Sequence, residues 1–146
     1  MIKKILLPTD GSESAQNAFE YALRVADLTG SDIIVLNVVE KMTKNLKFGL
    51  QSQLEVSLKE ESEKLLKKTI EKIKKKGIKV ESRIEFGVPH QKILKFALKE
   101  DIDLIVMGTQ GLSGLARLML GSVADRVLRG ASCPVLLIPS RVKTEE

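Results

Sequence analysis

The sequence predicts an α/β domain, a doubly wound five-stranded parallel sheet with helices on both faces. Three observations carry that expectation. Short runs rich in Ile, Val and Leu, at Ile5 to Leu7, Ile33 to Val39, Leu104 to Met107 and Val135 to Ile138, show little alternation, as expected of strands buried on both faces. The stretches between them shift to a helical period. Strand and helix alternate along the whole chain, which calls for parallel strands joined by right-handed crossovers.

After the first strand, Ala15, Ala18, Phe19, Ala22, Leu23 and Ala26 fall at i, i+3, i+4, i+7, i+8 and i+11, one helical stripe that Gly30 is placed to end. The second strand leads into an irregular stretch, Lys41 to Gln53, with Leu46, Phe48 and Leu50 among polar residues. It is longer than most connections of this kind and reads either as a flap over a ligand or as a mobile loop. A second helix runs from about Leu54 to Lys76, turns Leu54, Leu58, Leu65, Leu66, Ile70 and Ile73 inward, and stops at Gly77. Ile78, Val80, Ser82, Ile84 and Phe86 then alternate with Lys79, Glu81, Arg83 and Glu85, a period-two pattern that suits a strand at or near a sheet edge. Pro89 opens a third helix carrying Ile93, Leu94, Ala97 and Leu98. A fourth begins near Ser122 and carries Val123, Val127 and Leu128 before Gly130.

Composition narrows the function classes. With 146 residues, 43% hydrophobic and 29% charged, the chain has the size and balance of one domain over residues 1–146. No stretch approaches the roughly 18 apolar residues of a membrane helix, and the apolar run within Met1 to Pro8 is too short for a signal peptide, so a cytoplasmic protein without membrane contact is expected. Cys133 and His90 each stand alone, which excludes an internal disulfide and a zinc cluster. Cys133, before Pro134, reads as a small buried apolar group, and His90, beside Pro89, as a surface or capping residue. The net charge of +5 favours an anionic partner. The basic run Lys72 to Lys76 belongs to a helix with Glu60-Lys64, Glu63-Lys67 and Glu71-Lys75 at i, i+4, a solvated face, and 3% aromatics leave little for bases to stack on, so nucleic acid is not the expected partner.

Ligands of open α/β sheets bind beyond the carboxyl ends of the strands. There the sequence places Pro8-Thr9-Asp10-Gly11-Ser12 after the first strand and Gly108-Thr109-Gln110-Gly111-Leu112-Ser113-Gly114 after the fourth. The second loop leads to Gly121-Ser122 at a helix start, where glycines permit close approach and helix N–H groups face an anion. That is phosphate-binding chemistry. It is not a Walker loop, since no Lys follows Gly121, and it lacks the G-x-G-x-x-G spacing of dinucleotide sites. The same glycines also serve as turn and cap residues, Ser122 as a helix cap, and Asp10 as a turn or capping residue.

Gly108, two residues, Gly111, nine residues, then Gly121-Ser122 resembles the G-x2-G-x9-G-[S/T] signature of the ATP-binding branch of the universal stress protein family. Ile5-Leu6-Leu7-Pro8-Thr9-Asp10-Gly11-Ser12, the run Gly121 to Leu128, and Cys133-Pro134-Val135-Leu136 carry the resemblance over essentially the whole chain. It implies strand order 3-2-1-4-5 and ATP between the ends of strands one and four, with Mg2+ or Mn2+. Pro8, Thr9 and Asp10 are then expected to line the adenosine pocket, with Asp10 near the ribose or a metal-bound water, and the Val38 backbone to meet the adenine edge. Met107 belongs to the same expected site. Gly108, Gly111, Gly121, Ser122 and Val123 are expected to hold ribose and phosphates through main-chain N–H groups and the Ser122 hydroxyl. Arg117 is a further candidate for the terminal phosphates.

The resulting expectation is an ATP-binding stress-response protein working as a nucleotide-dependent switch that a protein partner reads. Turnover is disfavoured, because apart from Asp10 and Arg117 the site offers few groups for rapid phosphoryl transfer. The alternatives are a dimeric signalling module without nucleotide and a slow ATPase or adenylyl-transferring enzyme. Against the last, this chain lacks the S-G-G-x-D-S loop that adenylating enzymes carry after strand one. Pro134-Val135-Leu136-Leu137-Ile138-Pro139 is apolar at four successive positions, yet the implied order puts it at a sheet edge, so a homodimer through strand five is expected.

Overall fold

A computed structural model describes residues 1–40, 48–110 and 120–140. Its elements are β1 (Lys4–Pro8), α1 (Glu13–Thr29), β2 (Asp32–Val39), α2 (Phe48–Lys74), β3 (Val80–Phe86), α3 (Pro89–Lys99), β4 (Leu104–Gly108), α4 (Ser122–Gly130) and β5 (Val135–Ile138). The strands form one parallel sheet in the order β3-β2-β1-β4-β5. The expected fold class and strand order are both observed, with β3 at one edge and β5 at the other.

The sheet divides two layers of core. On one face Ile5, Leu7, Ile33, Val35, Leu104 and Val106 pack under α1 and α2 through Ala18, Phe19, Ala22, Leu66 and Ile73. On the other, Leu6, Ile34, Leu36, Ile105 and Met107 pack under α3 and α4 through Ile93, Phe96, Ala97, Ala124 and Val127. Successive strand residues face opposite layers, so the central strands are apolar on both faces, with Asn37 of β2 a buried polar residue among them. At the edge, β3 keeps its alternation, with Glu81 and Arg83 exposed between half-buried Val80, Ser82 and Ile84.

Helix ends follow local chemistry. Ser12 caps α1, its hydroxyl accepting from Ala15 N–H at 3.1 Å, and Gly30 closes the helix at φ 70° with its N–H on the Ala26 carbonyl. Pro89 sits in the first turn of α3, as its fixed φ favours.

Three sequence expectations need correction. The second helix starts at Phe48, not Leu54, so residues 48–53 of the irregular stretch are helical and only 41–47 lie outside the described residues. Leu50 and Val56 are exposed on that helix, and among its described side chains no apolar one is buried ahead of half-buried Leu54 to announce its start. In α3, Phe96 rather than Leu98 faces the sheet: Ile93, Phe96 and Ala97 share one face at i, i+3 and i+4, while Leu98 stands one residue past it, 65% exposed. Leu128 of α4 is likewise exposed beside fully buried Val127. The Glu and Lys residues at i, i+4 on α2 are exposed, the solvated face expected; among the described residues the ion pairs are Arg83–Glu81 and Arg129–Asp125. Among the described residues no helix is long and apolar enough to cross a membrane.

Candidate functional site

The chain runs outward from β1 to β2 and β3, then crosses back to β4, so connections leave the carboxyl ends of β1 and β4 in opposite directions. The two strands also part there. Pairing of β1 with β2 continues to Pro8↔Leu36, whereas with β4 the register is Ile5↔Leu104 and Leu6↔Ile105. A cleft of about 430 Å3 opens at this point, within the usual range for small-molecule sites.

Pro8, Thr9, Asp10, Val38, Met107, Gly108, Gly121, Ser122 and Val123 all line it. Gly111 and Arg117 lie outside the described residues. Sequence reasoning missed other parts of the wall: Ala15, Leu36 and Ile93 supply apolar surface, Ala124 and Pro89 add to it, and Glu40 brings a second carboxylate to the lining. No motif marks these residues, because the fold and not the local sequence brings them to the rim.

The β1 loop is held by its own short side chains. Asp10 Oδ1 accepts from Ser12 N–H at 2.9 Å, and Thr9 Oγ1 accepts from Gly11 N–H at 3.3 Å, with Gly11 at φ 81°. Asp10 therefore fills the turn role and lines the cleft as well. Its neighbour Thr9 is fixed by main-chain donation to the Leu36 carbonyl at 2.9 Å and by Asn37 Nδ2, which donates to the Thr9 carbonyl at 2.7 Å.

On the opposite wall two expected roles change. Gly121, not Ser122, is the N-cap of α4, and no side chain caps it. Ser122 is the first helical residue and its hydroxyl does not cap; it is exposed at the cleft. The Gly121 N–H donates to the Thr109 carbonyl at 2.6 Å and is thereby committed within the protein. The first main-chain bond of the helix runs from Asp125 N–H to the Gly121 carbonyl. The N–H groups of Ser122, Val123 and Ala124 precede it, belong to the first turn that has no intrahelical acceptor, and carry the positive end of the helix dipole.

Gly108 also has a packing reason to be glycine. A Cβ there would lie 2.7 Å from the Ser14 carbonyl carbon, because α1 crosses the end of β4 at close range. Ser14 completes the joint, its hydroxyl donating to the Ile138 carbonyl at 3.0 Å and accepting from Gln110 N–H at 3.3 Å.

Charge at the cleft is one-sided. Asp10 and Glu40 line it, and among the described residues no Lys or Arg does. Among the described residues no group of three His, Cys, Asp or Glu side chains is placed to hold a metal ion. The perturbed titrations lie elsewhere: Asp103 is held below the usual carboxylate range by N–H donation from Lys3 and Lys4, and burial pushes the Cys133 thiol up. Cys133 is half-buried against the α3 and α4 core, more open than expected.

Comparison with known proteins agrees with this architecture. A universal stress protein from Methanocaldococcus jannaschii, MJ0531, is 38% identical over 143 residues, covering 94% of this chain and 82% of that protein. The solved structure of MJ0577, from the same organism, superposes with a TM-score of 0.89 at 32% identity over 99% of both chains. The universal stress protein from Archaeoglobus fulgidus in complex with dAMP shares the fold, with a TM-score of 0.70 at 23% identity over 94% of this chain and 98% of that one. The family model described as "Universal stress protein family" matches residues 1–139. With that match and relatives of this similarity, the chain belongs to the universal stress protein family.

Proposed function

We propose that the chain is an ATP-binding regulatory protein of the stress response, a single nucleotide-binding unit whose cleft between β1 and β4 changes what a partner recognises. The observation that carries the reading is the pairing of an apolar slot with an uncapped helix N-terminus in one cleft. Val38, Ile93 and Met107 offer a surface for a flat base, and Ser122, Val123 and Ala124 bring the uncapped first turn of α4 to the same cleft. Thr9 and Asp10 line the same cleft, and this reading assigns them to the ribose.

Phosphates entering this cleft meet Asp10 and Glu40 with no Lys or Arg beside them among the described residues. A divalent cation carried by the nucleotide, Mg2+ or Mn2+, fits that donor set, because Mg2+ typically takes one or two carboxylates and completes its shell with phosphate oxygens and water. Binding is favoured over turnover, since no described lining residue is a histidine or a cation placed to stabilise a transferring phosphoryl group.

Dimerisation through β5 belongs to the same reading. Among the described residues β5 pairs with β4 alone, and it exposes Leu136, so pairing with a second copy satisfies main-chain groups and covers apolar surface together.

Native protein purified without added nucleotide, denatured and analysed by mass spectrometry, tests the reading. Recovery of an adenine nucleotide in stoichiometric amount supports it. A ligand-free protein that also fails to take up ATP at millimolar concentration overturns it and leaves the nucleotide-free dimer as the better account.

A further inference from the structure

We propose that Asn37, held by Ser62, sets the base preference of the cleft by keeping the Val38 main-chain N–H out of the sheet. The proposal rests on the nucleotide reading above and names a specificity device within it.

Hydrogen bonding along β2 alternates in direction. Ile33 N–H donates to the Lys79 carbonyl and the Val39 carbonyl accepts from Gly87 N–H, so odd-numbered residues face β3. The Leu36 carbonyl accepts from Thr9 N–H, so even-numbered residues face β1. The next rung of that ladder is Val38 N–H to the Thr9 carbonyl. Among the described residues it is not made. Asn37 Nδ2 takes the Thr9 carbonyl instead, at 2.7 Å. The ladder ends, and Val38 keeps its N–H and carbonyl turned toward the cleft it lines.

The amide that does this is locked. A main-chain carbonyl only accepts, so the nitrogen of the Asn37 amide must face Thr9, and the oxygen is left to accept from Ser62 Oγ at 2.6 Å. Asn37 is 8% exposed and Ser62 4%, and no buried side-chain polar atom among the described residues lacks a partner. Such a chain is costly to leave half-made, so the amide is strongly held in one orientation. It joins the end of β1, β2 and α2 behind the cleft without touching its contents.

Adenine carries an acceptor at N1 beside a donor at N6; guanine carries a donor at N1 beside an acceptor at O6. A free N–H next to a free carbonyl at Val38 matches the first order and opposes the second. Removing the Asn37 amide leaves the Thr9 carbonyl without its donor, and Val38 N–H is the donor next in the ladder to take it. The base edge then loses its reader.

Amide hydrogen exchange by NMR, with ATP and GTP titrations on the same proteins, tests this. In ligand-free wild-type protein the Val38 amide exchanges faster than those of Leu36 and Val39, and ATP protects it. In Asn37→Ala the Val38 amide is protected without ligand, and the ATP-over-GTP affinity ratio falls about tenfold. Ser62→Thr, which keeps the hydroxyl, retains the wild-type ratio. If Asn37→Ala does not fold, Ser62→Ala carries the test with an expected fall of about threefold in the ratio. A Val38 amide as protected as its neighbours in the ligand-free wild type overturns the proposal, as does an unchanged ratio in a folded variant that still binds ATP. That second result leaves the nucleotide reading standing. Failure of wild-type protein to bind ATP removes both.

Discussion

The main-chain N–H of Gly121 donates to the Thr109 carbonyl at 2.6 Å, closing the two described ends of the segment between β4 and α4 onto each other. The consequence for ligand binding is specific. Gly121 contributes space and the helix start, while the donors left for an anion are those of Ser122, Val123 and Ala124. Gly121 has φ −62° and ψ 155°, an extended conformation open to any residue. Gly121→Val is therefore expected to keep its circular-dichroism spectrum and cooperative unfolding while losing at least tenfold in ATP affinity by calorimetric titration. Ser122→Ala removes one hydroxyl and leaves the main-chain donors, with an expected loss of about 1 kcal/mol in binding.

Gly108→Ala acts on the fold instead. The added methyl meets the Ser14 carbonyl carbon at 2.7 Å and its Cβ at 2.8 Å, main-chain and near-main-chain atoms that cannot swing away. Overpacking of this kind costs about 1–3 kcal/mol, read as a lower urea midpoint. A midpoint equal to wild type would show that α1 is free to shift at this joint.

Asp103 gives the fold a defined acid dependence. Its Oδ2 accepts from Lys3 N–H at 2.9 Å and Lys4 N–H at 3.0 Å, which ties the loop before β4 to the start of β1. These bonds favour the charged form and hold its folded pKa below the ordinary carboxylate range. The stability it contributes is complete above that range and is lost as the pH falls through the folded value. Asp103→Ala is expected to lower the urea midpoint at neutral pH, with the gap to wild type narrowing in acid. A gap independent of pH would contradict the assignment.

Leu136→Lys addresses the open edge of β5. Leu136 is 36% exposed on a strand that, among the described residues, pairs with β4 alone. Light scattering is expected to give about twice the 16.1 kDa chain mass for wild type and a shift toward monomer for the variant. Wild-type protein that stays monomeric at micromolar concentration, with and without ATP, would contradict the β5 interface.

How much of this was legible in the sequence depends on whether the cause was local. The β5 bounds, Val135–Ile138, agree with the apolar run, and the alternation of β3 announced its edge position, because burial on one or two faces is written into successive residues. The first turns of α2 were not legible: Leu50 is exposed, and among the described side chains no buried apolar residue precedes half-buried Leu54 for periodicity to detect. Leu98 and Leu128 are apolar residues adjacent to true core positions, and hydrophobicity alone cannot tell the two apart. The Pro8 to Asp10 and Gly121 to Val123 walls were legible through their motifs, while Ile93 and Glu40 reach the cleft, and the Asn37–Ser62 pair forms behind it, only through tertiary packing.

The central claim is that the cleft between β1 and β4 holds ATP, and calorimetric titration of ATP with Mg2+ into nucleotide-free wild-type protein tests it most directly. The account predicts saturable binding of one ATP per chain, weaker binding of GTP, and loss of the signal in folded Gly121→Val. No saturable heat up to millimolar ATP, or equal binding by wild type and Gly121→Val, would contradict it.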